Sequence, residues 1–157
     1  MSEGVEWALH CCLNLAWVEG ARALPAVKLA AYYELPPAYL NKQLQALARA
    51  GIVSSVSGPR GGFRLAREPE RITLMDVVAA IEGPEPAFRC ADIIGRGPGA
   101  RAPGREPESC LIDRAMGRAE LAWRRELAAQ TLAELMAQVE RSSPGVPGRV
   151  RRWFADA

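Results

Sequence analysis

The stretch from Leu24 to Leu65 constrains this chain most, because its punctuation leaves few ways to fold it. Pro36-Pro37 opens PPAYLNKQLQALARA, where Leu40, Leu44 and Leu47 recur at helical spacing and predict a helix from Pro37 to Ala50. Proline is tolerated in a first helical turn, and Gly51 is the residue type that commonly closes a helix. Beyond it IVSSV alternates as a strand does, GPRGG reads as a tight turn, and FRLA is a return strand. Pro25 opens a shorter helix through Leu29 to Tyr33, in which Val27, Leu29 and Ala30 are expected to pack inward. Two helices joined by a turn and followed by a glycine-tipped hairpin make a winged helix-turn-helix, a form suited to holding one helix in a DNA major groove. The expected fold class is therefore mainly α with a small β-hairpin wing and a long C-terminal helix.

Charge supports this by placement more than by amount. The formal net charge of +2 over 157 residues is too small to argue for nucleic acid. Lys42, Arg49, Arg60, Arg64 and Arg67, however, all fall in or beside the second helix and the hairpin. Off the leucine stripe of that helix lie Tyr39, Asn41, Lys42, Gln45 and Arg49. Asn and Gln can bind adenine bidentately, and Lys or Arg can bind guanine, although a solvated polar face has the same composition. With them we count Pro37 at the helix start and Ser57, Pro59, Arg60 and Gly61 at the hairpin tip as candidate DNA contacts. Glycines there permit close approach, and a narrow minor groove would attract Arg60.

The rest of the chain divides into recognisable stretches. Residues Val5 to Val18 predict a first helix with an apolar stripe of Leu9, Cys12, Leu13 and Ala16. Glu6 and His10, four apart, share a second face, and His10 is the sole histidine. Cys11 and Cys12 are adjacent, point about a hundred degrees apart, and cannot easily act together. Arg71 to Glu82 is amphipathic, with Thr73 and Asp76 spaced as a capping box. Ala91 to Ser109, rich in Gly, Pro and Arg, reads as a mobile loop bracketed by Cys90 and Cys110. Ile112 to Glu140 predicts one long helix, too long for so small a domain to bury, whose natural partner is its own copy in a second subunit. Residues 1–83 would then form the winged domain, 84–111 a cofactor loop, 112–140 a dimerisation helix and 141–157 a flexible basic tail. No apolar run approaches a membrane span and no cleavable leader pattern opens the chain, so a cytoplasmic protein is expected.

These motifs together resemble the Rrf-two (Rrf2) family of bacterial winged-helix regulators, the IscR/NsrR family. The resemblance rests on PPAYLNKQLQALARAGIVSSVSGPRGGFRLA, on ITLMDVVAAIEG, and on the cysteine-bearing loop ending in Cys110-Leu111-Ile112-Asp113. It covers nearly all of the chain to about residue 140. It implies a homodimer reading a palindromic site in double-stranded DNA, with no membrane association, and often an iron–sulfur cluster. Commoner members carry three loop cysteines, whereas only Cys90 and Cys110 are present here, and Asp113 stands where IscR has a histidine ligand. GVEWALHCC, Gly4 to Cys12, is similar to the redox-sensing RsrR type. That similarity implies a [2Fe–2S] cluster with Cys90 and Cys110 on one iron, and Glu6 and His10, from the partner subunit, on the other. Trp7, beside Glu6, is a candidate for carrying a change in the cluster toward the DNA domain, although a packed aromatic is the ordinary reading.

Mixed thiolate and non-thiolate ligation is chemically reasonable, since replacing cysteines raises a cluster's potential. A thiol–disulfide switch between Cys90 and Cys110 is one alternative; a zinc site on the same four donors is another. No Ser-His-Asp set, phosphate loop or HExxH pattern appears, so a regulator acting as a repressor is expected rather than an enzyme. An adaptor using the wing without DNA is the remaining alternative.

Overall fold

The computed structural model describes residues 1–18, 22–59, 61–91 and 110–155. Contacts divide the chain into two units, Met1–Pro84 with Leu127–Ala157, and Glu85–Glu126. The first unit opens with α1, Glu3–Trp17. Its residues Ala8, Cys11, Cys12, Leu13 and Leu15 are buried in a common core with Leu29, Leu40, Leu44 and Leu47. Helix α2 is Ala26–Tyr32 and α3 is Pro37–Arg49. The predicted leucine stripe of α3 is fully buried, as period-3.6 patterning requires. Val27 differs from expectation: it is 63% exposed, whereas Leu29 and Ala30 are the buried residues of α2.

Both helix ends in this motif close by the same backbone device. At α3, Ile52 N–H donates to Leu47 C=O (3.0 Å) around Gly51 at φ 67°, and Ile52 is carried into the core. At α2, Leu35 N–H donates to Ala30 C=O (3.0 Å) and Glu34 N–H to Ala31 C=O (3.3 Å). These are Schellman closures, which want glycine at the left-handed position. Glu34 occupies that position at φ 55°.

Strands β1, Val53–Val56, and β2, Gly62–Leu65, pair antiparallel with Ser55 opposite Phe63. Leu24 adds to the outer edge of β2 by reciprocal hydrogen bonds with Phe63, both 2.8 Å. That edge requires glycine at 62, where a Cβ would lie 2.2 Å from Leu24 C=O. A 3₁₀ turn, Pro69–Arg71, leads to α4, Leu74–Glu82, whose Thr73–Asp76 capping box is formed in both directions.

The predicted single helix over 112–140 is two helices. α5 is Leu111–Ala128 and α6 is Leu132–Ser142. Thr131 leaves the helix because it caps α6 through a second box with Glu134 and bridges to Thr73. Leu74 N–H to Gln130 C=O (2.9 Å) and Leu132 N–H to Ile72 C=O (2.8 Å) fix that corner within the first unit. The tail also differs from expectation: Gly145–Phe154 is a helix, α7, with Pro147, Val150 and Phe154 buried. Pro147 lies in its first turn, where the missing N–H costs nothing.

In the second unit Glu85–Glu126, Arg124 donates to Glu120 (2.7 Å) and to the Glu85 carbonyl (3.0 Å). No residue of α5 is buried, and Leu111, Ile112, Met116 and Leu121 are exposed. The expected loop beyond Ala91 lies outside the described residues. Among the described residues no helix is long and apolar enough to cross a membrane.

Candidate DNA-reading face and metal ligands

Burial of Leu40, Gln43, Leu44 and Leu47 forces the rest of α3 outward. Tyr39, Asn41, Lys42, Gln45 and Arg49 are all exposed on it, with Pro37 at its start. Ser57 and Pro59 are exposed at the wing tip and Gly61 is half-buried; Arg60 lies outside the described residues. Of the basic residues noted around the hairpin, Arg67 has a structural attachment. Its Nε donates to Gly51 C=O (3.1 Å), and its guanidinium reaches Arg71 C=O (3.4 Å) and Asp76 (3.7 Å). It thereby ties the end of α3 to α4. Gln43, which the sequence did not single out, is buried against Gly4 of α1, where a side chain would press within 3.1 Å of its amide.

Glu6 and His10 lie one turn apart on α1, both exposed. They stand on the rim of a cleft of about 540 Å³ with apolar walls of Val5, Leu9, Leu13, Leu135 and Val139. Among the described residues neither side chain has a hydrogen-bond or ion-pair partner. The His10 ring lies 6.4 Å from Trp7 and 5.6 Å from Tyr33, and Trp7 and Tyr33 are 5.5 Å apart. Tyr33 is the residue whose role the sequence left open between core, surface and phosphate contact. It closes α2, its hydroxyl accepts from Asn14 (2.9 Å) and donates to the His10 carbonyl (3.4 Å), and burial raises its pKa. The buried Asn14 on the α1 face was the available signal.

The four cysteines split into two kinds. Cys11 and Cys12 are fully buried; burial pushes the Cys12 thiol up to about 12, and burial with the Cys12 neighbour raises Cys11 further. Neither suits thiolate chemistry. Cys90 is exposed and Cys110 half-buried, and both are free thiols. Arg114 N–H donates to Cys110 C=O (2.9 Å), so Cys110 stands at the entry of α5. Among the described residues no three His, Cys, Asp or Glu converge within the chain on a metal-sized site. As donors, two accessible thiols and an unengaged carboxylate and imidazole fit an iron–sulfur or zinc centre chemically.

A helix-turn-helix closed by a two-stranded wing, with an exposed polar face on its second helix, defines a winged-helix regulator. The chain belongs to the Rrf2 family: the family model, described as an iron-dependent transcriptional regulator, matches residues 1–138. The family's proteins are transcriptional regulators, not enzymes. In fold the chain is similar to CymR of B. subtilis, the global cysteine regulator, at 25% identity and TM-score 0.65, covering 88% of this chain and 96% of that one. It is also similar to T. potens IscR at 21% identity and TM-score 0.68, covering 91% and 90%. A relative from Aquifex aeolicus, of the HTH-type transcriptional regulators, is 38% identical over 77 residues, which are 49% of this chain. The chain spans about half the length of that relative, 53%.

Proposed function

We propose that the chain is a dimeric DNA-binding repressor whose affinity for a palindromic site follows the redox state of a [2Fe–2S] cluster. In this reading α3 enters the major groove, with Asn41, Lys42, Gln45 and Arg49 reaching base edges. Pro37, Tyr39 and the wing residues Ser57, Pro59, Arg60 and Gly61 fix its register on the backbone. The uncovered apolar residues of α5 support a second copy as partner. Its place of work is then the cytoplasm.

Cys90 and Cys110 would bind one iron as thiolates, and Glu6 and His10 of the partner copy would bind the other. When bound, such a cluster supplies a one-electron change of charge at the dimer interface. His10 and Glu6 are held for this by α1, at the correct spacing to reach one metal. The His10 ring and carbonyl both meet Tyr33, so a shift of His10 is felt where α2 ends and the turn into α3 begins. Trp7 packs in the same cluster. The observation that carries the reading is this one: an unengaged Glu6–His10 pair backed directly onto the helix-turn-helix.

Anaerobically prepared protein tests it by visible absorption with iron and sulfide analysis. Iron and sulfide in equal amounts with a coloured spectrum, lost in Cys90→Ala and Cys110→Ala, are expected; colour that persists in both variants overturns the ligand assignment. A thiol–disulfide switch between Cys90 and Cys110 is the second reading, favoured by the likeness to CymR. It predicts a colourless protein whose Cys90 and Cys110 cross-link on oxidation. Zinc on the same donors would be colourless and show no cross-link.

A further inference from the structure

Helix α7 lies past the last residue the family model matches, 138. Three features set it apart from a solvated tail. It is docked: Phe154 is 1% exposed, Val150 is buried, and Arg22 donates to the Phe154 and Ala155 carbonyls. It is attached to the helix-turn-helix itself, with the rings of Trp153 and Phe154 lying 5.7 and 5.4 Å from that of Tyr32 on α2. It is also purely basic, since Gly145–Phe154 contains Arg149, Arg151 and Arg152, all exposed, and no acid.

The arginines are presented on a fixed scaffold. The guanidiniums of Arg149 and Arg152 lie back along α7 over Gly145 and Gly148, and among the described residues neither has an acidic partner. Trp153, 52% exposed, stands four residues after Arg149, so the two share a face of α7. Tyr32 stands four residues after the exposed Lys28, so the stack joins the Lys28 face of α2 to the Arg149 face of α7. The first helix of a helix-turn-helix crosses the DNA backbone. A nearby hollow of about 390 Å³ lined by Arg22, Arg151 and Arg152 is a poorer anion site. Its Arg22 is already engaged, donating to the Phe154 and Ala155 carbonyls.

We propose that α7 is a second, sequence-independent DNA contact, in which Arg149 and Arg152 hold backbone phosphates flanking the groove that α3 enters. This rests on the reading of the chain as a DNA-binding protein. Because α7 is already ordered, contact orders only side chains, and each phosphate neutralised releases condensed counterions.

The test is a salt titration of full-length protein on a mixed-sequence duplex, comparing wild type with Arg149→Ala/Arg152→Ala. Each lost phosphate contact lowers the slope of log K against log salt by about 0.9, and the dimer loses two contacts in each copy, so the double variant should lose about 3.6 from the slope. Arg149→Lys/Arg152→Lys should keep the wild-type slope, and so should Arg118→Ala/Arg125→Ala, which removes equal charge from α5. A circular-dichroism melt checks folding; if the alanine pair melts early, Arg149→Gln/Arg152→Gln takes its place. An unchanged slope in a folded alanine or glutamine pair overturns the proposal for α7 alone. Equal losses in the α5 pair also overturn it, since net charge would then explain the effect. Wild type that shows no salt-dependent binding overturns the DNA-binding reading itself.

Discussion

Glu34 holds a left-handed backbone conformation at φ 55°, in the turn that sets the angle between α2 and α3. A side chain there is strained by about 1 kcal/mol, which glycine would relieve at some cost in unfolded-state entropy. Glu34→Gly should therefore raise stability by a few tenths to about 1 kcal/mol, read as a shift of the urea midpoint at constant slope. Gly62 is the opposite case, since any Cβ there meets the Leu24 carbonyl. Gly62→Ala should detach Leu24 from the wing and lower the midpoint. Cysteine chemistry is decided at this scale too. In metal-free native protein, Cys90 and Cys110 should react with a thiol reagent while Cys11 and Cys12 react only after denaturation, because burial raises both of their thiols. Rapid native labelling of all four would contradict the burial of α1. The sequence showed Cys12 on the apolar stripe of α1, but could not show that the neighbouring side of the helix is covered too and takes Cys11 inside.

Among the elements, α2, α3, the wing and α4 lie close to their predicted positions, because each carries local signals: a proline entry, a leucine stripe, a closing glycine, a capping box. The same vocabulary explains the misplacements. Thr131-Leu132-Ala133-Glu134 is a capping box of the kind recognised at Thr73, yet the apolar residues on either side of it keep helical spacing and mask the break. Thr131→Ala should cost about 1 kcal/mol in thermal or urea unfolding, since the cap and the corner with Ile72 and Leu74 depend on it. A loss below the error of the measurement would mean that the corner is held by Leu132 alone. In α7, Val146, Val150 and Phe154 recur every fourth residue, but SSPGVPG read as a breaker and concealed them. Proline and glycine in a first turn do not prevent a helix whose later residues find a core.

At the scale of the whole molecule, the regulator needs a reading head, a sensing site and a second copy. Lys42→Ala should weaken duplex binding with little change in melting temperature, because Lys42 is exposed and has no hydrogen bond or ion pair among the described residues. Unaltered affinity in a gel shift would remove α3 from the DNA face. His10→Ala should shift the potential and visible spectrum of the cluster-loaded dimer; an unaltered spectrum and potential would remove His10 from the ligands. Local pattern by itself determined the winged helix, the outward face of α3 and the accessible pair Glu6–His10, since periodicity, turns and caps are written in neighbouring residues. Only the tertiary structure decided that Tyr33 lies against His10, that Arg67 clamps α3 to α4, that Thr131 turns a corner against Thr73, and that the basic end folds back as α7 onto Tyr32. Each of those joins residues far apart along the chain, and the energy that settles them comes from burial and pairing with surfaces that the local sequence does not contain.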